Sequence, residues 1–302
     1  MGQSSKHNIS EFESTHLNLG RLVSPIRAVE LIGRLRGGSQ SHLFRCSDGN
    51  DYAVKFPNNP QGSKTLVCDL LGTLLATYLG LPTRPCCIVE IPQALVQQTD
   101  RLYIETANGR EQICGGPCFG SQYPGSATAG SPFVASAVDF RPASGGASIR
   151  NFSDCAGILM FDQWTCNTDH RQLLFHRAPR ARLWYMSMID QGSCFSGAKW
   201  NFIDSPLWGL HQGLVSFLTQ RFDVFEPWLD RLERSVNEKV LRSIAGNVRA
   251  EWYDGDDKAL ERLLEGLEFR KNRTRGLICD VARFVRDRFS HNTAYRQRGA
   301  GA

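Results

Sequence analysis

Long apolar runs are missing from this 302-residue sequence, and none approaches the roughly 20 residues that cross a bilayer. Residues 1–11 are polar, so no secretory leader is expected. Met1-Gly2 lacks the Ser or Thr that myristoylation wants four places on, because Lys6 stands there. A zinc pattern is missing too. Of ten cysteines only Cys114 and Cys118 form a close spaced pair, and no second such pair or histidine doublet completes a ligand set. Cys46, Cys68, Cys155 and Cys279 sit singly among apolar neighbours, where a thiol behaves as a small hydrophobe. The expectation is reduced thiols and a cytoplasmic chain with no membrane contact.

A strong charge of either sign is also absent, since the net charge is only +5. The basic residues are uneven, however, with Arg262, Arg270, Lys271, Arg273, Arg275, Arg283, Arg286 and Arg288 crowding one stretch. A solvated helix face is the favoured reading of that stretch, and nucleic-acid binding is the unlikelier one. At 41% hydrophobic and 22% charged, the composition is that of a globular chain. Its length suits two lobes.

Residues 1–20 read as a loose tail and 22–29 as a short extended run. Leu31 to Cys46 then reads as strand, glycine turn, strand, with Gly37-Gly38-Ser39-Gln40-Ser41 at the turn. Glycines there let backbone N–H groups approach a phosphate closely. Ser47-Asp48-Gly49-Asn50 is a hairpin turn leading to a third strand, 51–56, near whose end stands Lys55. A lysine placed there can put its ammonium on nucleotide phosphates.

Leu66 to Leu79 follows as a helix with Leu66, Leu70, Leu74 and Tyr78 on one stripe, stopped by Gly80 and Pro82. Asp69 lies off that stripe among small residues (Gly72, Thr73, Ala76), where another element can come close and the carboxylate can pair with Lys55. Cys86–Ile91 and Gln112–Phe119 read as further strands of one small antiparallel sheet. Tyr123 to Ser148 reads as an irregular surface loop, rich in Gly, Ala, Ser and Pro. Beyond it, helices are expected over 156–164, 209–221, 226–240 and 258–289, the last with a break.

Between the first two of those helices, two acids end two apolar runs. Asp169 follows Trp164-Thr-Cys-Asn-Thr, and Asp190 precedes Gln191-Gly192 after a hairpin of two short strands. One carboxylate beside an attacking hydroxyl and another holding Mg²⁺ on nucleotide phosphates is what phosphoryl transfer needs.

The order of motifs resembles the HipA-like kinase family: G-G-S-Q-S, Y-A-V-K-F, the helix L-V-C-D-L-L to Y-L-G-L-P, F-G-S-Q-Y, F-D-Q-W-T-C-N-T-D-H-R-Q and I-D-Q-G. The likeness runs from about Leu31 to Arg283. It implies an α+β, two-lobed protein-kinase-like fold: a tail at 1–20, a small antiparallel sheet lobe with one helix at 21–122, and a helical lobe at 123–302. It implies ATP and Mg²⁺. Gly37, Gly38, Ser39, Gln40, Ser41, Lys55 and Asp69 would form the nucleotide site, Asp190 and Gln172 the metal site, and Asp169 the catalytic base. Ser39 and Ser41 would be autophosphorylation sites.

The acceptor implied is Ser or Thr of a protein, in this family sometimes a translation factor or tRNA synthetase, with an antitoxin partner. A nucleotide-binding pseudokinase and a small-molecule phosphotransferase are the alternatives. The chain departs from the usual kinase pattern at three places. Asp69 stands where glutamate is common, Gln172 stands three places after Asp169 where asparagine five places on is usual, and Gln191 replaces phenylalanine.

Overall fold

The computed structural model describes residues 25–123, 136–137, 148–177, 180–209 and 222–298. The expected tail, most of the loop after Tyr123 and nearly all of the expected helix at 209–221 lie outside them.

The first half is built around a closed five-stranded barrel. Its strands are β1 (Ile26–Arg34), β2 (His42–Cys46) and β3 (Asp51–Lys55), followed after helix α1 (Lys64–Tyr78) by β4 (Cys86–Ile91). A short helix α2 (Gln93–Gln97) and a hairpin, β5 (Tyr103–Thr106) and β6 (Gly109–Gln112), precede the last barrel strand β7 (Gly116–Gln122). The order is β1-β2-β3-β7-β4. The barrel closes through a parallel pair, Ile26 with Val89 and Arg27 with Glu90, so the sheet is not wholly antiparallel as expected.

Two further expectations need correction. From Ile26 on, the extended run expected at 22–29 and the strand after it are one strand, β1, whose pairing slips near Val29 and Ile32. Such slips are β-bulges, and they break the period-2 pattern from which one strand would have been read. Gln112–Phe119 straddles the end of β6 and the start of β7. The division falls at Ile113-Cys114-Gly115, while Asn108-Gly109, a favoured hairpin turn, joins β5 to β6.

Strand parity decides which side chains meet the site. Phe44, Val54, Val89 and Cys118 point into the barrel's own apolar cluster. Ile88 and Phe119 point the other way, into the larger core with α1. Successive side chains alternate, so Lys55, next to Val54, leaves the barrel interior.

Helix α1 buries more than the expected stripe: from Thr65 to Ala76 every residue is buried. A helix apolar nearly all round belongs in an interior. Gly80, at φ +73°, ends it, with Leu81 N–H donating to Ala76 O and Gly80 N–H to Thr77 O. That pairing is a Schellman cap.

Helix α3 (Cys155–Thr165) is buried along its whole length. It leads through an acid-bearing loop into a sheet of β8 (Ser136–Ala137), β9 (Gln172–His176) and β10 (Tyr185–Ile189). The expected helix at 226–240 is two, α4 (Glu226–Ser235) and α5 (Glu238–Ala245). Asn237 separates them by accepting from Val240 N–H as an N-cap.

Helix α6 (Asp257–Arg298) runs 42 residues without the expected break. It has no proline, and a helical glycine costs only about 1 kcal/mol. Several of its basic residues are committed within the fold. Buried Arg270 donates to Trp164 O and pairs with Asp204, and Arg275 pairs with Glu226. Among the described residues, no helix is long and apolar enough to cross a membrane.

Candidate active site

Lys55 is the centre of the site. Its Nζ lies 2.7 Å from Asp69 Oδ2 and 2.7 Å from Asp190 Oδ1. Strand β3 aims the lysine toward α1, and Asp69 stands on the first half of that helix. The shorter carboxylate reaches because α1 packs close. A Cβ on Gly72 would lie 2.9 Å from Gln191 Cβ, and Gln191 N–H donates to Asp69 Oδ1 at 2.9 Å. Gly192 completes the cradle, since a Cβ there would meet Asp69, Lys55 and Asp190 at 3.1–3.4 Å.

The electrostatics follow from burial and these contacts. Burial opposes the Lys55 charge, but two carboxylates outweigh it and hold the ammonium above the usual lysine range. Burial pushes Asp69 up to about 6, against the pull of Lys55. For Asp190 the lysine outweighs burial and keeps the carboxyl below its ordinary value. Asp190 is also in the left-handed region at φ +57°, where a non-glycine residue needs support from its surroundings.

That support comes from Arg171, two places after Asp169. It is fully buried and ion-paired to Asp162 of α3, itself fully buried. Its Nη1 donates to Ile189 O at 3.1 Å, to Asp190 O at 3.3 Å and to Gln191 Oε1. One guanidinium therefore ties α3 to the backbone that carries Asp190. Asn167 Nδ2 donates to the same Asp162 at 3.1 Å, so the loop holding Asp169 hangs on the same pair.

Asp169 is exposed, accepts from His170 N–H at 2.7 Å, and belongs to this loop rather than to the lysine cluster. Gln172, at the start of β9, donates from Nε2 to Asp190 Oδ2 at 3.1 Å, leaving its amide oxygen for another partner. Leu174, five places after Asp169, is a buried apolar residue.

The glycine turn joins β1 to β2. Gly37 sits at φ +139°, open only to glycine, and nothing crowds its Cβ position. Ser39 is buried, with Oγ 3.0 Å from Ser41 Oγ. Gln40 is committed within the protein: its N–H donates to Gly37 O, and its side-chain amide pairs with Glu105 in β5.

A hard divalent cation such as Mg²⁺ takes oxygen ligands, commonly one or two carboxylates together with substrate phosphates. Asp190 and the Gln172 amide oxygen suit that chemistry. Among the described residues, no group of three or more His, Cys, Asp or Glu side chains could hold a metal alone.

A family model described as HipA-like kinase matches residues 28–183. No curated protein matches the sequence. Among solved structures, the Golgi casein kinase is similar at 12% identity, TM-score 0.49, over 89% of this chain and 76% of that one. The Helicobacter pylori proinflammatory kinase CtkA is similar at 14% identity, TM-score 0.49, over 89% of this chain and 99% of that one.

Proposed function

The chain belongs to the HipA-like kinase family, and from that premise we propose that it is an active, ATP- and Mg²⁺-dependent kinase that phosphorylates Ser or Thr of a protein. The observation that carries this reading is the Lys55 ammonium bonded at 2.7 Å to both Asp69 and Asp190. A cation fixed by two acids from separate elements is a phosphate anchor with its position already set. In this reading the fold is two-lobed, 21–122 and 123–302 after a tail at 1–20, with nucleotide between the lobes.

Lys55 holds the nucleotide phosphates, and Gly37, Gly38, Ser39 and Ser41 cover them. Asp69 orients Lys55. Asp169 accepts the proton from the acceptor hydroxyl as its oxygen bonds the γ-phosphorus and the bond to the β–γ bridging oxygen breaks, releasing ADP. Asp190 and the Gln172 amide oxygen hold Mg²⁺, which supplies neutralisation of phosphate charge. Arg171 keeps Asp190 aimed.

We place the protein in the cytoplasm, with a translation factor or tRNA synthetase as substrate and an antitoxin as partner. Autophosphorylation at Ser39 or Ser41 would add about −1.5 to −2 charges to a loop meant to lie on phosphates, and so would expel it. Buried Leu174, where kinases commonly carry a metal-binding asparagine, favours a second reading, a pseudokinase that binds nucleotide and serves as an interaction module.

Phosphosite mapping decides between the two, using purified protein with Mg-ATP and cells expressing the chain beside an Asp169→Asn control. Expected are new Ser or Thr sites and a fall in transfer of about 10²-fold or more in Asp169→Asn, with nucleotide affinity retained. Nucleotide binding without any phosphosite refutes the active kinase and leaves the pseudokinase.

A further inference from the structure

The hairpin β5–β6 has an open edge. Glu105 faces Arg110 across the two-stranded sheet, and its own N–H and C=O point away toward the glycine turn. Gln40 meets both groups: Glu105 N–H donates to Gln40 Oε1 at 2.7 Å, and Gln40 Nε2 donates to Glu105 O at 2.6 Å. A primary amide has one acceptor and one donor face, so it reproduces a rung of sheet pairing. Arg34, the last residue of β1, reinforces the contact. Its Nη2 donates to Gln40 Oε1 at 3.1 Å, its Nη1 lies 3.6 Å from Glu105, and its guanidinium sits over the Tyr103 ring at 4.4 Å. Gln40 adopts φ +50°, an unfavourable conformation for a non-glycine residue, and this contact holds it there.

The hairpin is a firm support. Leu102, Ile104 and Ile113 at its root are buried in the barrel cluster. Asn58 Nδ2 donates to Gln112 O at 3.0 Å, which also fastens β6 to the segment after β3. On the other shoulder of the turn, Leu35 N–H donates to Ser41 O at 2.8 Å.

We propose that Gln40 is a positioning residue, a latch that holds the glycine turn on the β5–β6 hairpin and so sets the affinity for nucleotide without touching it. The inference rests on the kinase reading and deepens it. With the latch closed, the turn is ordered before nucleotide binds, and less conformational freedom is lost on binding. With it open, the two glycines leave the turn free and affinity falls, while the groups around Lys55 are unchanged.

The test uses the full chain in four forms: wild type, Gln40→Ala, Gln40→Gly and Glu105→Pro. Glu105→Pro deletes the N–H that Gln40 accepts and alters no side chain of the glycine turn, and proline is tolerated on edge strands. Gln40→Gly relieves the positive φ and still lacks the amide, so it separates strain from latching. Calorimetry gives the Kd for Mg-ATP, steady-state assays give KM for ATP and kcat, and amide exchange reports on residues 36–41. The expected result is a loss of affinity of about tenfold in all three variants, the scale of one or two net hydrogen bonds. Exchange at 36–41 should be faster, KM raised, and kcat within about twofold of wild type.

Wild-type affinity and exchange in Gln40→Ala overturn the latch and leave the kinase reading standing. Loss in both Gln40 variants with wild-type behaviour in Glu105→Pro means that Gln40 contacts the nucleotide itself, which also overturns it. A wild-type chain that binds no Mg-ATP overturns the kinase reading and the latch with it.

Discussion

Replacing Lys55 by methionine removes the one cation between two carboxylates and keeps most of the side-chain volume. The Lys55 and Asp69 side chains are 8% and 1% exposed, so their pair lies in the interior, whereas Asp190 at 31% is partly solvated. Taking one partner from a buried pair costs about 3–5 kcal/mol, mostly because the remaining charge is stranded. Asp69 keeps its bond from Gln191 N–H and Asp190 keeps Gln172, so the lower end applies, about 3 kcal/mol. In melting temperature that is roughly 5 °C for a chain of this size.

The cost must depend on pH, with a definite sign. In the wild type the lysine pulls both carboxyls down, leaving Asp69 at about 6 and Asp190 below its usual value. Without the lysine both climb. The folded variant then binds more protons than its unfolded chain from about pH 4 to beyond pH 6, and stability falls as pH rises through that window. Urea melts of both proteins in metal-free buffer at pH 5 and pH 8 measure the difference. The variant should be closer to wild type at pH 5. A difference below about 1 kcal/mol, or the same difference at both pH values, would refute a buried two-acid, one-cation cluster.

Arg171→Met strands Asp162 and should cost about 3–5 kcal/mol; Arg171→Met with Asp162→Leu should regain much of that in urea melts while phosphoryl transfer stays low. Transfer that returns together with stability would show that Arg171 supports the fold and does not aim Asp190. Gly120→Ala would put a Cβ 2.4 Å from Val89 Cγ2 inside the barrel, and thermal melts should show a loss of about 1–3 kcal/mol.

Lys55, Asp69, Asp190 and Gln172 could be found from sequence because each sits beside a local marker: a strand end, a helix with small neighbours, a glycine, a strand start. Backbone geometry fixes where such residues point, and the structure brings these four into one bonded group. The α1 stripe understates the burial of that helix: Val67, Leu71 and Leu75 lie off it, so the helix is apolar on more than one face. The β5–β6 hairpin carries a readable turn in its sequence, Asn108-Gly109.

Arg171, Gln40 and Arg270 are different in kind. Each is a long polar side chain in a stretch that reads as solvent-facing, and each finds its partner away from its own element. Arg171 reaches 9 residues back to Asp162, Gln40 reaches 65 onward to Glu105, and Arg270 reaches 66 back to Asp204. No period or spacing displays such pairs, because they exist only once the strands and helices have docked. The markers therefore locate the phosphate chemistry, and these distant pairs hold its parts still.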